Sequence, residues 1–449
     1  MTKEELMATH PDYDANIEQW RFFLSSYFGG RHYRDGNYLL QHPFESSTNY
    51  ERRKKIAYYY NYCGPIVDIM VSHLFRRPVK REFGRLATDN LFSGFLRDVD
   101  FEGSNLAQFM RDAGRFASVY GRVTIVVDRP RLVASTRGEA EELGLRPYLS
   151  LVTPENLIDW SYGSTETGRP VLEMVKINEG NGRYRIWTTE AWELWQAGGE
   201  GDEPVPLDGD LHDLGRVPVV NLYNKKSGVR MIGTSDIQDI SDINKNIYYL
   251  CSDAKEIIEN TAFPMLAVPY EKGGASDERE IGPRNIIQFD PESGAKPFWL
   301  EPPHSSLTEI REWVKQDIGE IHRIAKMGGV RSVEDFARAK SGVALELEYQ
   351  QLYAVLSEKA DNLEQAEMEV LSLWSAWEGK SFDGLVDYPD DFSLKDLDGE
   401  ISRLFQAMEA GIDSVAFRRE AQKSVVDKVM PKLNAQLKAQ ILKEIDGDG

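Results

Sequence analysis

Between residues 235 and 378, three long helical repeats alternate with two segments that do not continue them, one read as short strands and one as a loop or short helix. This order restricts the fold more than any other feature of the 449-residue chain. The first repeat, 235–262, places Ile237, Ile240, Asn244, Ile247, Cys251 and Ile258 near one stripe. Ser235 is its expected N-cap, Asp236 lies in its first turn, and Pro264 stops it. The second repeat, 304–327, carries Leu307, Ile310, Val314, Ile318, Ile321 and Ala325 on one face, with Ser305 and Ser306 as candidate caps. At about 1.5 Å per residue these are rods of roughly 40 and 35 Å. Between them, 263–303 reads as short strands (FPMLAVP, NIIQFD, KPFWLEPP) separated by Gly273-Gly274 and Pro291-Glu292-Ser293-Gly294. The simplest geometry is out, turn and back, with the strand module at the far end of a helical pair. Gly328-Gly329 ends the second rod and opens a hinged segment, 328–341. The third repeat, 342–378, is the longest, at about 55 Å. Its stripe includes Leu345, Tyr349, Leu352, Leu356, Leu363 and Val370, broken only by Lys359. Leu347, Met368 and Leu371 add a second apolar side, so the helix is expected to make contacts on more than one side, in the core of one chain or among neighbouring subunits.

Charge excludes some roles. The chain holds 53 Lys+Arg against 73 Asp+Glu, a net charge of −20, the wrong sign for a protein that grips DNA through its phosphates. It remains compatible with a protein past which DNA slides. Residues 190–215 hold eight acids and no Lys or Arg, and their Gly, Pro and Asp content reads as an exposed connection. Residues 342–378 hold another eight acids and only Lys359. The basic run Arg52 to Lys55, followed by Tyr58 to Tyr60, reads as an exposed helix start before core tyrosines rather than a nucleic-acid site. Two distant cysteines, Cys63 and Cys251, exclude a disulfide scaffold and fit buried thiols. No apolar run approaches the ~20 residues of a membrane span. The N-terminal stretch lacks a signal-peptide core, so neither secretion nor membrane insertion is expected.

Residues 1–120 read as mainly helical, with a kink or split expected at Gly64-Pro65. RVTIVVD, PYLSLVTPENLIDW, VLEMVKI, RYRIWTT and VPVVNLYN follow as strands. The fold class is therefore α+β, mainly helical. The tail after 381 reads as amphipathic helices near 393–410, 414–430 and 431–446.

Catalytic signatures are missing from the sequence: no nucleotide-binding P-loop, no G-x-G-x-x-G after a strand, no H-E-x-x-H and no G-x-S-x-G. The seven histidines have no ligand spacing, and His322 reads as exposed or interfacial.

The order rod, strand module, rod, hinged segment, long helix resembles that of portal proteins of tailed bacteriophages, the head-to-tail connectors. YGRVTIVVDRP and PYLSLVTPENLIDW look like strands of the portal wing. VPVVNLYNKKSGVRMIGTSDIQDISDINKNIYYLCSDA is similar to the family's passage from a wing strand into the first stem helix. ARAKSGVALELEYQQLYAVLSEKADNLEQAEMEVL looks like the long helix that follows the tunnel loop. The resemblance implies a wing over 1–234, a stem helix over 235–262, a small β clip over 263–303 and a second stem helix over 304–327. A tunnel loop over 328–341, a long wing helix over 342–380 and a helical crown over 381–449 complete the portal-type architecture.

The resemblance further implies a ring, typically of twelve copies, at one capsid vertex, through which double-stranded DNA is packaged and ejected. The large terminase, then head-completion (adaptor) proteins, would dock on the clip, and the major capsid protein would surround the ring. No catalytic residue, cofactor, metal or membrane is implied, and the place of action is the virion, after assembly in the host cytoplasm. Val330, Arg331, Ser332, Val333, Glu334, Asp335, Arg338 and Lys340 of the tunnel loop are then expected to approach DNA. Glu346, Glu348 and Glu358 are candidates for the channel wall. Ile310, Val314, Ile318, Leu345, Tyr349, Leu352 and Leu356 are candidates for the subunit interface. Phe289, Phe298 and Trp299 are candidates for docking on the clip. Two alternatives stay open on sequence alone. One is another oligomeric virion protein, a head-completion or baseplate component without a DNA channel. The other is a hydrolase in which Asp128, Glu155, Asp159 and Glu173 converge.

Overall fold

The computed structural model describes residues 1–131, 136–199, 202–261, 265–269, 286–289, 296–300, 305–326, 342–389, 392, 406, 414–430 and 435–447. It is a mixed helix and sheet structure, divided into two compact units, Met1–Asp391 and Phe392–Gly449.

The first unit opens with helices α1 (Lys3–Met7), α2 (Pro11–Phe28), α3 (Gly30–Asp35), α4 (Ser47–Ile56) and α5 (Cys63–Leu74). Strand β1 (Lys80–Glu82), then α6 (Asn90–Arg97) and α7 (Leu106–Tyr120), follow. Local chemistry sets several of these starts. Thr2 with Glu5, and Asn105 with Gln108, form reciprocal capping boxes, and Ser46 accepts the Asn49 amide. The interruption expected at Gly64-Pro65 is a split rather than a kink. The break falls earlier, between Ile56 and Cys63, and Pro65 sits in the first turn of α5. There its missing N–H has no intrahelical partner to lose.

Helix α7 ends on Gly121, whose φ of +89° suits glycine. A Cβ here would lie 2.4 Å from the Gly233 carbonyl oxygen, so two backbones cross at this point. The chain then enters β2 (Arg122–Asp128), α8 (Arg137–Leu143), β3 (Tyr148–Val152), β4 (Leu157–Ser164), β5 (Pro170–Gly180), β6 (Arg183–Thr188), β7 (Ala191–Gln196), β8 (Val205–Leu211) and β9 (Val219–Tyr223). These form two antiparallel sheets, ordered β3-β2-β9 and β4-β5-β6-β7-β8. The sheets share one core, in which Val126, Val152 and Val219 meet Trp160, Val175, Trp187 and Trp192. On its other face the larger sheet buries Ile158, Tyr184 and Ile186 against Leu6 of α1. The acidic stretch 190–215, read from sequence as a connection, is instead the β7–β8 hairpin with its flanks. Trp192 faces the core at 8% exposure, so one buried face sufficed to make a strand of an acidic segment.

Three long helices follow: α9 (Gln238–Thr261), α10 (Ser305–Ile324) and α11 (Gly342–Trp377). Between α9 and α10 lie β10 (Met265–Pro269), β11 (Ile286–Phe289) and β12 (Phe298–Leu300), in the order β11-β10-β12. β10 runs parallel to β11 and antiparallel to β12, with Met265 opposite Leu300. That pairing brings the end of α9 and the start of α10 to the same place. Farther along, Asn246 Nδ2 donates to Asp317 Oδ2 at 2.7 Å. The two helices are therefore an antiparallel pair, with the strand module between them in sequence. β13 (Leu385–Asp387) pairs with β1 and so stays in the first unit, which extends past the boundary expected at 381. The second unit contains α12 (Val415–Val429) and α13 (Ala435–Gly447), joined by a Lys423–Asp446 ion pair at 2.7 Å. The helix expected near 393–410 lies almost entirely outside the described residues.

Candidate functional site

The long helices are rooted in the body by buried polar groups. Ser118 lies in the last turns of α7, Asn224 follows β9, Asp236 precedes α9, and Lys359 sits mid-way along α11. The Lys359 ammonium, 5% exposed, lies 2.5 Å from Asp236 Oδ2 and also donates to Asn224 Oδ1 and to Ser118 Oγ. Asn224 Nδ2 closes the network by donating to Asp236 Oδ1 at 2.9 Å. All three ammonium donors therefore find acceptors inside the protein. The lone cation that interrupts the apolar stripe of α11 is thus the joint between α11 and the start of α9. Seven residues into α9, fully buried Asn244 accepts from the Tyr59 hydroxyl at 2.8 Å and the Tyr62 amide at 3.1 Å, and donates to the Tyr60 carbonyl at 2.8 Å.

The basic run of α4 faces α9. Arg52 pairs with Glu256 at 2.5 Å and Glu259 at 3.2 Å. Arg53, buried, donates to Glu45 at 2.8 Å and to the Leu40 carbonyl at 2.6 Å. Acids of α9 and of the loop before α4 hold Arg52 and Arg53, which act as a brace. Toward the end of α11, fully buried Glu367 accepts two bonds from Arg81, at 2.5 and 2.9 Å, and one from the Tyr388 hydroxyl at 2.6 Å. Burial, with the Glu367 charge beside it, pushes the Tyr388 phenol well above its ordinary range.

The predicted residues separate by position. The tunnel-loop set, Val330 to Lys340, lies outside the described residues. Glu346, Glu348 and Leu345 are on α11, where the described side chains begin at Tyr349. Glu358 is exposed. Ile310, Val314 and Ile318 of α10, and Tyr349 of α11, are half-buried, and Tyr349 stacks on Tyr353 with ring centroids 6.0 Å apart. Leu352 and Leu356 are 1% and 0% exposed within a single chain. Their apolar surface is already consumed at home, which leaves the interface expectation to the other five residues. Phe289, Phe298 and Trp299 lie on β11 and β12, with Trp299 opposite Leu266 and Phe298 opposite Ala267.

The convergence required by the hydrolase alternative is not formed. The Asp128 carboxylate accepts from the Tyr148 hydroxyl at 2.8 Å, and burial raises its pKa. Glu155 accepts from the Tyr120 hydroxyl at 2.6 Å, Asp159 pairs with buried Lys176 at 3.2 Å, and Glu173 is exposed. Among the described residues no group of three or more His, Cys, Asp or Glu is placed to hold a metal, and no helix is long and apolar enough to cross a membrane. Asn224 and Glu367 were not singled out from sequence, and Lys359, Asp236 and Arg53 were noted there without this bracing role. The one available signal was Lys359 as a lone charge in an apolar stripe.

The family described as "Phage portal protein, SPP1 Gp6-like" matches residues 22–395. No curated protein matches the chain. Solved structures similar to it include three from gene transfer agent particles. A chain from the virion of a native gene transfer agent particle is 12% identical, with 78% of this chain and 86% of that one covered and a TM-score of 0.39. A chain from the neck of an empty gene transfer agent particle, computed with C6 symmetry, is 11% identical, with coverage of 78% and 86% and a TM-score of 0.40. A chain from the neck of the native particle, computed with C12 symmetry, is 11% identical, with coverage of 80% and 88% and a TM-score of 0.39.

Proposed function

The chain belongs to the phage portal protein family, SPP1 Gp6-like, and from that premise we propose that its copies close into a ring, most simply a dodecamer, at one capsid vertex. Double-stranded DNA enters the capsid through the axial channel during packaging and leaves by it at infection. The observation that carries this reading is the antiparallel pair α9/α10 with the three-stranded module between them in sequence. In the portal reading the pair is the stem, the strand module is the clip, α11 is the long wing helix, and the sheets with helices α1 to α7 are the wing. The second unit corresponds to the crown. The clip then receives the large terminase during packaging and a head-completion protein afterwards, while the major capsid protein surrounds the ring. The protein acts structurally, without a catalytic group of its own, in the virion, and assembles in the host cytoplasm.

Net charge suits this role. Each tight phosphate contact would add salt-dependent binding and slow a moving duplex, and a chain of net charge −20 offers few. Exposed Glu358, with Glu346 and Glu348 on the same helix, supports an acidic channel wall, and residues 330–340 are assigned to the loop nearest DNA. The test is the native mass of the purified full-length protein. A closed multiple of the 51.1 kDa chain is expected, and a monomer or dimer at all concentrations contradicts the reading.

A further inference from the structure

Strand β8 is the outer strand of the larger sheet and, among the described residues, pairs on one side only, with β7. A free edge presents a row of backbone donors and acceptors, and proteins ordinarily cover or blunt it. This edge also carries apolar side chains in the open: Leu211 is 76% exposed, Val205 55% and Leu207 47%. At its C-terminal end the His212 amide donates to the Glu190 carbonyl at 2.7 Å, which brings Glu190 and Asp213 to the end of the hairpin that holds Leu211. The carboxylates of Glu190, Asp210 and Asp213 are exposed, and none meets a cation among the described residues. The neighbouring Asp208 is already paired with Arg131.

A second patch has the opposite character. The chain between α5 and β1 reads Phe75-Arg76-Arg77-Pro78-Val79-Lys80. Arg76, Arg77 and Lys80 are exposed, and the Arg111 guanidinium of α7 lies over the Phe75 ring, 5.4 Å from its centroid. Arg111 thus lies beside the turn that carries Arg76 and Arg77, with Lys80 three residues farther along the chain. Glu82 lies 3.2 Å from Lys80, whereas Arg76, Arg77 and Arg111 meet no carboxylate among the described residues. Both patches belong to the unit Met1–Asp391.

We infer that the β8 edge of one copy docks on the Arg76–Arg77–Arg111 corner of the next copy. The inference rests on the ring reading. A rotational ring needs one patch that meets a different patch on its neighbour, and these two are opposite in charge, with Glu190, Asp210 and Asp213 on one side and Arg76, Arg77 and Arg111 on the other unpaired among the described residues. The apolar side chains of the edge supply burial, while the charges fix register and speed encounter. A DNA duplex is the other polymer that such a corner could take. A chain of net charge −20 repels a polyanion at a distance, whereas every neighbouring copy supplies one acidic edge per basic corner.

Two full-length variants test this, Arg76→Glu/Arg77→Glu and Asp210→Lys/Asp213→Lys, with circular dichroism and melting curves as controls of folding. Each alone is expected to weaken ring association by roughly tenfold or more in native mass spectra at low salt. An equimolar mixture is expected to restore rings, because the reversed faces complement each other as the native faces do. Rings unchanged in each variant, or a mixture of folded chains that stays dissociated, overturns the inference. So does the outcome in which Arg76→Glu/Arg77→Glu rings persist but lose binding of a short duplex, which assigns the corner to DNA. Should a charge variant fail to fold, Arg77→Cys/Asp213→Cys replaces it: a ladder of disulfide-linked copies under mild oxidation supports the contact, and its absence overturns it. A parent protein that forms no ring contradicts the portal reading itself.

Discussion

The rod pair has two halves that look alike in sequence and differ in the fold. Near the body, Ile237 just before α9 and Ile240, Ile247 and Tyr248 within it are buried, as are Ile321 of α10 and Ala325 just after it. Toward the strand module the same stripe of α10 continues as Ile310, Val314 and Ile318, all half-buried, and Trp313 beside them is 55% exposed. The inner half is complete within one chain and pinned by buried polar groups. The outer half keeps the period of a buried face, yet among the described residues it is only half-buried. Apolar periodicity therefore reports that a face will be covered; the surrounding elements decide whether the same chain covers it or another does.

The most severe way to break this contrast acts at the root. Lys359→Met strips buried Asp236 of its counter-ion and should lower unfolding stability by about 3–5 kcal/mol in urea titrations of the dissociated chain. Lys359→Met/Asp236→Leu should recover much of that loss, because removing both charges removes the desolvation penalty. A double variant as weak as the single one would mean that the network acts through shape rather than charge. Ile318→Ser on the outer half should cost the isolated chain no more than about 1 kcal/mol, yet shift the protein from rings to small species in sedimentation. Rings that survive it would place the interface elsewhere on the surface. The mildest test uses acid. Burial lowers the pKa of His212, which lies between Trp187 and Trp377, and of His322 on α10. The folded chain then binds fewer protons than the unfolded one below the ordinary value of 6.5, so stability falls as pH drops through that region. His212→Phe should flatten part of that decline in melting temperature, while an unchanged slope would remove His212 from the account.

Much of this arrangement was legible beforehand. Long repeats bounded by caps, prolines and double glycines gave the three helices nearly to their ends, because period and punctuation agree there. The β7–β8 hairpin was missed because eight acids masked a single buried face around Trp192. The polar joints were missed because their meaning lies in distant partners: Asp236 and Lys359 are far apart in sequence and 2.5 Å apart in space. Leu352 and Leu356 were assigned to an interface for the same reason that Ile318 was, and only tertiary packing separates them.

Electron microscopy of the purified full-length protein tests the central claim most directly. Class averages are expected to show a closed ring, with the paired rods projecting around an axial opening wide enough for a DNA duplex. Particles with no central opening, or rods folded away from the symmetry axis, would contradict it.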